Sequence, residues 1–219
     1  MIISPELSPL KRYTYADYLT WNDGIRYELF DGIPHIKFEQ EIGGVPSAMA
    51  APMPGHQDIQ RELFVQLANF LKGRRCKVYA APLDVRLDAD TDITDDTERI
   101  IFQPDIVVIC DRSKLDKKGY KGAPDMVIEI LSKTTLKKDK ILKMQKYQQY
   151  GVKEYWIVDP DTRFVYTYLL VNGKYVANNY SEEDIAPVVV LPGCEINLPE
   201  VFASLDELEI NDDDMEDLT

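Results

Sequence analysis

The sequence predicts an α/β (α+β) protein with one mixed central β-sheet flanked by helices, and three observations carry that expectation. Candidate helices and strands do not alternate strictly: the order is helix, hairpin, helix, several strands, helix, strands, which disfavours a doubly wound parallel sheet. Hydrophobic residues make up 45% of the 219, enough for a sizeable packed core and too many for a disordered chain. No G-x-G-x-x-G, G-x-x-x-x-G-K-[ST] or G-x-S-x-G occurs, so dinucleotide, P-loop and serine-hydrolase readings lose their main support.

Thr14-Tyr15-Ala16-Asp17 has the form of a capping box and predicts a short helix ending near Asn22-Asp23-Gly24. Arg26–Phe30 and Ile33–Phe38 flank Asp31-Gly32, a strong hairpin signal. Residues 41–55, rich in Gly, Pro and small side chains, read as a loop. Ile59, Leu63, Leu67 and Leu71 recur at helical spacing and predict an amphipathic helix from His56 to about Lys72. The centre reads as strands at Cys76–Ala81, Asp84–Leu87, Asp105–Ile109 and Asp125–Leu131, with an acidic surface loop between Leu87 and Ile101. A second helix is expected from Leu136 to Tyr150, stopped by Gly151. Strands follow at Glu154–Val158, Phe164–Leu170, Lys174–Tyr180, Pro187–Leu191 and Glu195–Leu198, the second and third joined at Asn172-Gly173. Residues 1–205 read as one domain. Residues 206–219 carry eight acids and no base and read as a solvated acidic tail.

The net charge of −13 excludes a general basic coat for nucleic acid, so any polyanion contact must be local or metal-assisted. The three cysteines lie far apart without a C-x-x-C, which predicts neither a disulfide framework nor a cysteine zinc site, with Cys110 as a small core residue. The first residues lack the apolar run of a signal peptide, and no stretch approaches a membrane span. The expected compartment is therefore the cytoplasm.

Two acids stand out. Asp105 follows Pro104 at the start of an apolar strand, and Glu129 lies within Met126–Leu131 among aliphatic residues. A carboxylate there is costly unless a cation or metal compensates it, so a salt-bridged structural acid and an active-site acid are both open readings. The following helix carries Asp139, Lys143 and Tyr147 at i, i+4 and i+8, hence on one face. In isolation that face reads as solvated, with an Asp139–Lys143 pair. Residues 111–153 hold twelve bases against five acids, a local +7 beside the two acids. Positive surface next to candidate metal-binding carboxylates suits phosphodiester chemistry. Tyr155-Trp156 reads as strand packing rather than a stacking platform, His56 as an N-terminal helix residue, and Asp84 as a local partner or a border of the site.

Tyr27-Glu28-Leu29 before Asp31-Gly32, Pro104-Asp105, the run Gly122–Ser132, then Asp139, Lys143, Tyr147, Gly151-Val152 and Glu154–Pro160 resemble the Uma-two endonuclease family. That family is a bacterial branch of the PD-(D/E)XK, or restriction endonuclease-like, superfamily. The resemblance implies a restriction endonuclease-like core with β-hairpin extensions. It implies that Asp105 and Glu129 bind Mg²⁺, with Mn²⁺ as substitute. The lysine expected two residues after the acid is replaced by Leu131, and Lys143 on the next helix matches the displaced position, with Lys133 as a rival. Glu28, or less directly His56, adds a polar group from the N-terminal part. The implied catalytic set is Asp105, Glu129, Lys143 and Glu28, with Lys137, Lys138, Lys140 and Lys146 holding phosphates of a nucleic acid, DNA in the first instance. A homodimer cutting both strands is also implied. The competing reading is a catalytically degenerate binding or assembly module that retains the nuclease fold.

Overall fold

The computed structural model describes residues 10–37, 40–42, 45–47, 54–89, 97–131, 137–203 and 205–206. The capping box forms: Asp17 N–H donates to Thr14 Oγ1, and Thr14 N–H donates to the Asp17 carboxylate. It opens only a four-residue helix, α1 (Tyr15–Tyr18), which stops well before Gly24. Strands β1 (Tyr27–Phe30) and β2 (Ile33–Ile36) then pair across Asp31-Gly32. Both turn residues have positive φ, the geometry that joins right-twisted strands in two residues. A Cβ on Gly32 would lie 2.7 Å from the Tyr13 carbonyl oxygen, so that turn also needs glycine for close approach.

Residues 41–55, expected as loop, hold most of a small hairpin, β3 (Gln40–Ile42) with β4 (Val45–Ser47). Three-residue strands are too short for alternation to show. The helix α2 (Pro54–Leu71) buries Ile59, Leu63, Leu67 and Leu71 at the expected spacing. After it come β5 (Lys77–Ala80), β6 (Val85–Arg86), β7 (Ile101–Phe102), β8 (Ile106–Ile109), β9 (Leu115–Asp116), β10 (Gly119–Lys121) and β11 (Met126–Ile130). Then follow α3 (Lys137–Tyr150), β12 (Glu154–Asp159), β13 (Phe164–Val171), β14 (Lys174–Ser181), β15 (Ile185–Val188) and β16 (Cys194–Asn197). A last helical stretch covers 198–203. Residues 90–96 of the acidic loop and most of the acidic tail, 207–219, lie outside the described residues.

The main sheet is mixed, ordered β14-β13-β12-β11-β8-β5, with one parallel pair, β11–β12, joined by α3 as the crossover. A second six-stranded sheet, β2-β1-β7-β6-β10-β9, is mixed as well, and β15–β16 and β3–β4 form separate two-stranded sheets. Strand β11 is buried on both faces. Met126, Ile128 and Ile130 join the core beneath α2, while Val127 joins the core containing Tyr147 of α3 and Phe102 of β7. Tyr155 and Trp156 are buried packing residues, as expected.

The cysteine expectation is corrected. Cys76 and Cys110 form a disulfide, and only Cys194 is free. Strand β5 pairs with β8 in the register Lys77↔Ile109, so the residues one step outside, Cys76 and Cys110, face each other. Spacing alone carries no strand register, which is why this pair was not visible in the sequence. Cys110 is half-buried rather than a core residue. Among the described residues no helix is long and apolar enough to cross a membrane.

Candidate active site

Strand register brings the two acids together. Pairs Ile128↔Ile106, Val127↔Val107 and Met126↔Val108 run antiparallel, and one further step sets Glu129 opposite Asp105. Directly opposed residues on neighbouring strands keep their Cβ atoms about 4.5–5.5 Å apart on one face. That face belongs to Val127, Tyr147 and Phe102, the side on which α3 packs. The backbone N–H of Ile130 donates to Asp105 Oδ2 at 2.8 Å, tying the side chain of one strand to the main chain of the next.

Helix α3 delivers the lysine. It ends at Gly151, whose φ is +88° and whose N–H reaches the Tyr147 carbonyl. Lys143 and Tyr147, one turn apart, both turn inward. Lys143 Nζ lies 2.9 Å from Glu129 Oε1 and 2.8 Å from Glu28 Oε2, and Tyr147 OH donates to Glu129 Oε1 at 2.7 Å. The solvated-face expectation for Lys143 is therefore corrected: the residue is only 7% exposed. Glu28 comes from β1 in the other sheet, and its Oε1 also accepts from Gln103 N–H. The structure thus gathers all four expected residues, Asp105, Glu129, Lys143 and Glu28.

Two further groups complete the cluster. Lys37, just beyond β2, places Nζ 3.1 Å from Asp105 Oδ1 and also donates to the Gln103 carbonyl. His56, in the first turn of α2, sets Nε2 3.3 Å from Asp105 Oδ2, while its Nδ1 makes no hydrogen bond among the described residues. One turn on, Gln60 donates to the Asp105 carbonyl. His56 is the N-terminal helix residue expected and a site residue as well. Lys37 was not singled out from the sequence, and nothing local marks it, because its partner lies in a distant strand. Asp84 stands behind the site, accepting from Gln103, Tyr15 and Tyr18.

Not every expected residue reaches this cluster. Lys146 pairs with Asp31 at 2.7 Å. Lys133 and the side chains of Lys137, Lys138, Asp139 and Lys140 lie outside the described residues.

Burial works against every charge here, and the partners decide the outcome. For Asp105, burial pushes the carboxyl pKa up, but Lys37, His56 and the Ile130 N–H outweigh it and hold the group well below the usual carboxylate range. For Glu129, burial wins: reinforced by Asp105 and Glu28, it lifts the carboxyl above its ordinary value despite Lys143 and Lys37. Burial would lower Lys143, yet Glu129 and Glu28 raise it, so the ammonium stays protonated at neutral pH. The carboxylates of Asp105, Glu129 and Glu28 face the ammonium groups of Lys37 and Lys143 and the imidazole of His56.

The donor chemistry bears on a metal. Among the described residues no three His, Cys, Asp or Glu side chains are grouped to hold an ion. A closed cage of protein ligands, such as structural zinc requires, is therefore not formed by them. Two opposed carboxylates are a different case. Mg²⁺ takes one or two carboxylates and fills its remaining positions with water and phosphate oxygens. Asp105 and Glu129, two opposed oxygen donors, suit that mode.

The mixed central sheet with a helical crossover between its parallel strands is a restriction endonuclease-like fold. A family model described as "Uma2: Putative restriction endonuclease" matches residues 15–199, and the chain belongs to that family. Among solved structures, the chain is similar to a putative nuclease belonging to DUF820 from Anabaena variabilis ATCC 29413. That similarity has a TM-score of 0.62 and 18% identity, covering 87% of this chain and 97% of the other. At that identity the likeness establishes the fold. No curated protein matches the sequence.

Proposed function

We propose that this protein is a Mg²⁺-dependent endonuclease that hydrolyses phosphodiester bonds of nucleic acid, DNA in the first instance. The observation that carries the proposal is the convergence of Asp105, Glu129, Glu28 and Lys143 from both sheets and α3, with Asp105 and Glu129 directly opposed. Asp105 and Glu129 would hold the ion. When bound, it supplies a water of lowered pKa and polarises the phosphoryl oxygen.

The remaining roles belong to the chain itself. The Ile130 N–H, His56 and Lys37 fix the Asp105 carboxylate in place. Tyr147 holds Glu129 by a hydrogen bond to one oxygen. Lys143 keeps its proton at Nζ and offers that ammonium to the charge that develops on phosphate oxygens, a stabilisation strengthened by the water-poor surroundings. Glu28, anchored by Gln103, orients Lys143. The two lysines also support the competing reading of a degenerate binding or assembly module, because they already satisfy much of the carboxylates' demand.

The deciding experiment incubates purified protein with supercoiled plasmid and single-stranded DNA, with Mg²⁺, Mn²⁺ or EDTA. The nuclease reading expects cleavage with either metal, none in EDTA, and none for Asp105→Asn, Glu129→Gln or Lys143→Met variants that remain folded. Cleavage by Asp105→Asn at the wild-type rate would assign any activity in the preparation to something else.

A further inference from the structure

The main sheet continues past the acids, and its register defines what lies next to them. Glu129 pairs with Ile157 on β12, Ile157 with Tyr166 on β13, and Tyr166 with Asn179 on β14. Residues paired across neighbouring strands share a face, so Asp105, Glu129, Ile157, Tyr166 and Asn179 form one row on the α3 side. Neighbouring strands lie about 4.8 Å apart, which puts Tyr166 roughly 10 Å along that row from Glu129. The rise per nucleotide of a duplex strand is about 3.4 Å, so the distance is on the order of three nucleotides.

Alternation along β13 places Phe164, Tyr166 and Tyr168 on this face. Tyr168 turns into a tyrosine group, stacked on Tyr155 with ring centroids 5.8 Å apart. Phe164 and Tyr166 join neither of the two large cores. Their rings lie near-parallel, 26° between planes and 6.4 Å between centroids. Tyr166 is 37% exposed and is the one exposed aromatic residue among the described residues, the other large exposed apolar side chains being aliphatic. An aromatic pair that no core absorbs, on the same sheet face as the candidate site, presents π-faces where a substrate strand would run.

We infer that Phe164 and Tyr166 form a stacking platform for an unpaired base of the nucleic acid flanking the scissile bond. The occupant must be unpaired because the faces of a base within a duplex are already covered by its neighbours. Stacking tolerates any base, so the platform positions the strand without reading sequence. The exposed Asn179 beside Tyr166 presents an amide to the edge of such a base. This inference rests on the nuclease reading, and its test separates the two.

Binding of a fluorescein-labelled single-stranded oligonucleotide and of its duplex is measured in EDTA for wild type, Phe164→Leu, Tyr166→Leu and Tyr166→Trp. KM and kcat are measured with Mg²⁺. The leucine variants are expected to bind the single strand roughly 5- to 100-fold more weakly, with a smaller loss on duplex. KM rises while kcat at saturation holds, and Tyr166→Trp restores affinity. If the wild type binds and cleaves but the leucine variants keep its affinity within twofold, the platform is overturned and the nuclease reading stands. Equal losses in Tyr166→Leu and Tyr166→Trp would likewise overturn it, since only a packing role ignores aromaticity. A wild type that neither binds nor cuts either nucleic acid overturns the nuclease reading and the platform together.

Discussion

Replacing Lys143 by methionine probes the cluster without depending on activity. The substitution keeps the aliphatic stem and removes an ammonium that lies 2.8 Å from Glu28 and 2.9 Å from Glu129, at a residue only 7% exposed. Removing one partner of a buried ion pair costs about 3–5 kcal/mol, and here two carboxylates lose the same partner, which points to the upper half of that range. At ~2–4 °C per kcal/mol for a chain of this size, the melting temperature falls by about 8–20 °C at pH 7. The loss must also depend on pH. Burial already lifts Glu129, and removing Lys143, which opposes that lift, raises it further. A carboxylate whose folded pKa lies above its unfolded value, about 4.3 for Glu, is costly while charged, and the cost fades as pH falls through the folded pKa. The deficit against wild type should therefore narrow from pH 8 to pH 5, and a second change, Glu28→Gln, should recover part of it at pH 7. Urea and thermal denaturation followed by circular dichroism measure both effects. A deficit under about 1 kcal/mol, or one unchanged between pH 5 and pH 8, would show that Lys143 is solvated and that the cluster does not exist as described.

Three other perturbations follow from the same structure. Asp105 is held below its unfolded pKa of about 3.9, so the stability it contributes is complete above that value and is lost as pH falls toward the folded pKa. The stability gap between wild type and Asp105→Asn should be flat from pH 5 to 7 and close below pH 4, and a gap that widens in acid would reverse the assignment. Cys76→Ser opens a disulfide spanning 34 residues, for which loop entropy gives roughly 4 kcal/mol of lost stability; dithiothreitol should lower the wild-type melting temperature similarly and leave the variant unmoved. A Cβ at Gly119, whose φ is +140°, would lie 2.2 Å from the Asp84 carbonyl oxygen, so Gly119→Ala should cost about 1–3 kcal/mol in chemical denaturation. Wild-type stability in that variant would mean that β10 does not pack on Asp84 as described.

Much of this architecture was legible because local chemistry and tertiary structure agree. The Asp31-Gly32 and Asn172-Gly173 turns adopt the positive φ values that those residue pairs tolerate, and the leucine spacing of α2 matches the side it buries. The pairing of Lys143 with Tyr147 was readable from their i, i+4 separation, and the strangeness of Glu129 from its aliphatic neighbours. What stayed hidden depends on register between distant strands. Lys37 meets Asp105 across 68 positions, and Cys76 meets Cys110 because β5 and β8 align at Lys77↔Ile109. Strands β7 and β9 have two residues each, too few to display a period, and they are held by neighbours rather than by propensity. The second sheet escaped notice for that reason, and with it the route by which Glu28 reaches the acids of the first.

Whether Asp105 and Glu129 grip a divalent cation is tested most directly by titrating Mn²⁺ into the purified protein and following the paramagnetic signal of the free ion. The wild type should withdraw Mn²⁺ from solution, Mg²⁺ in excess should release it, and the folded Asp105→Asn and Glu129→Gln variants should each lose that binding. Equal Mn²⁺ uptake by the wild type and both variants would place the metal elsewhere and leave the two carboxylates to their partners within the chain, Lys37, His56, Lys143 and Tyr147.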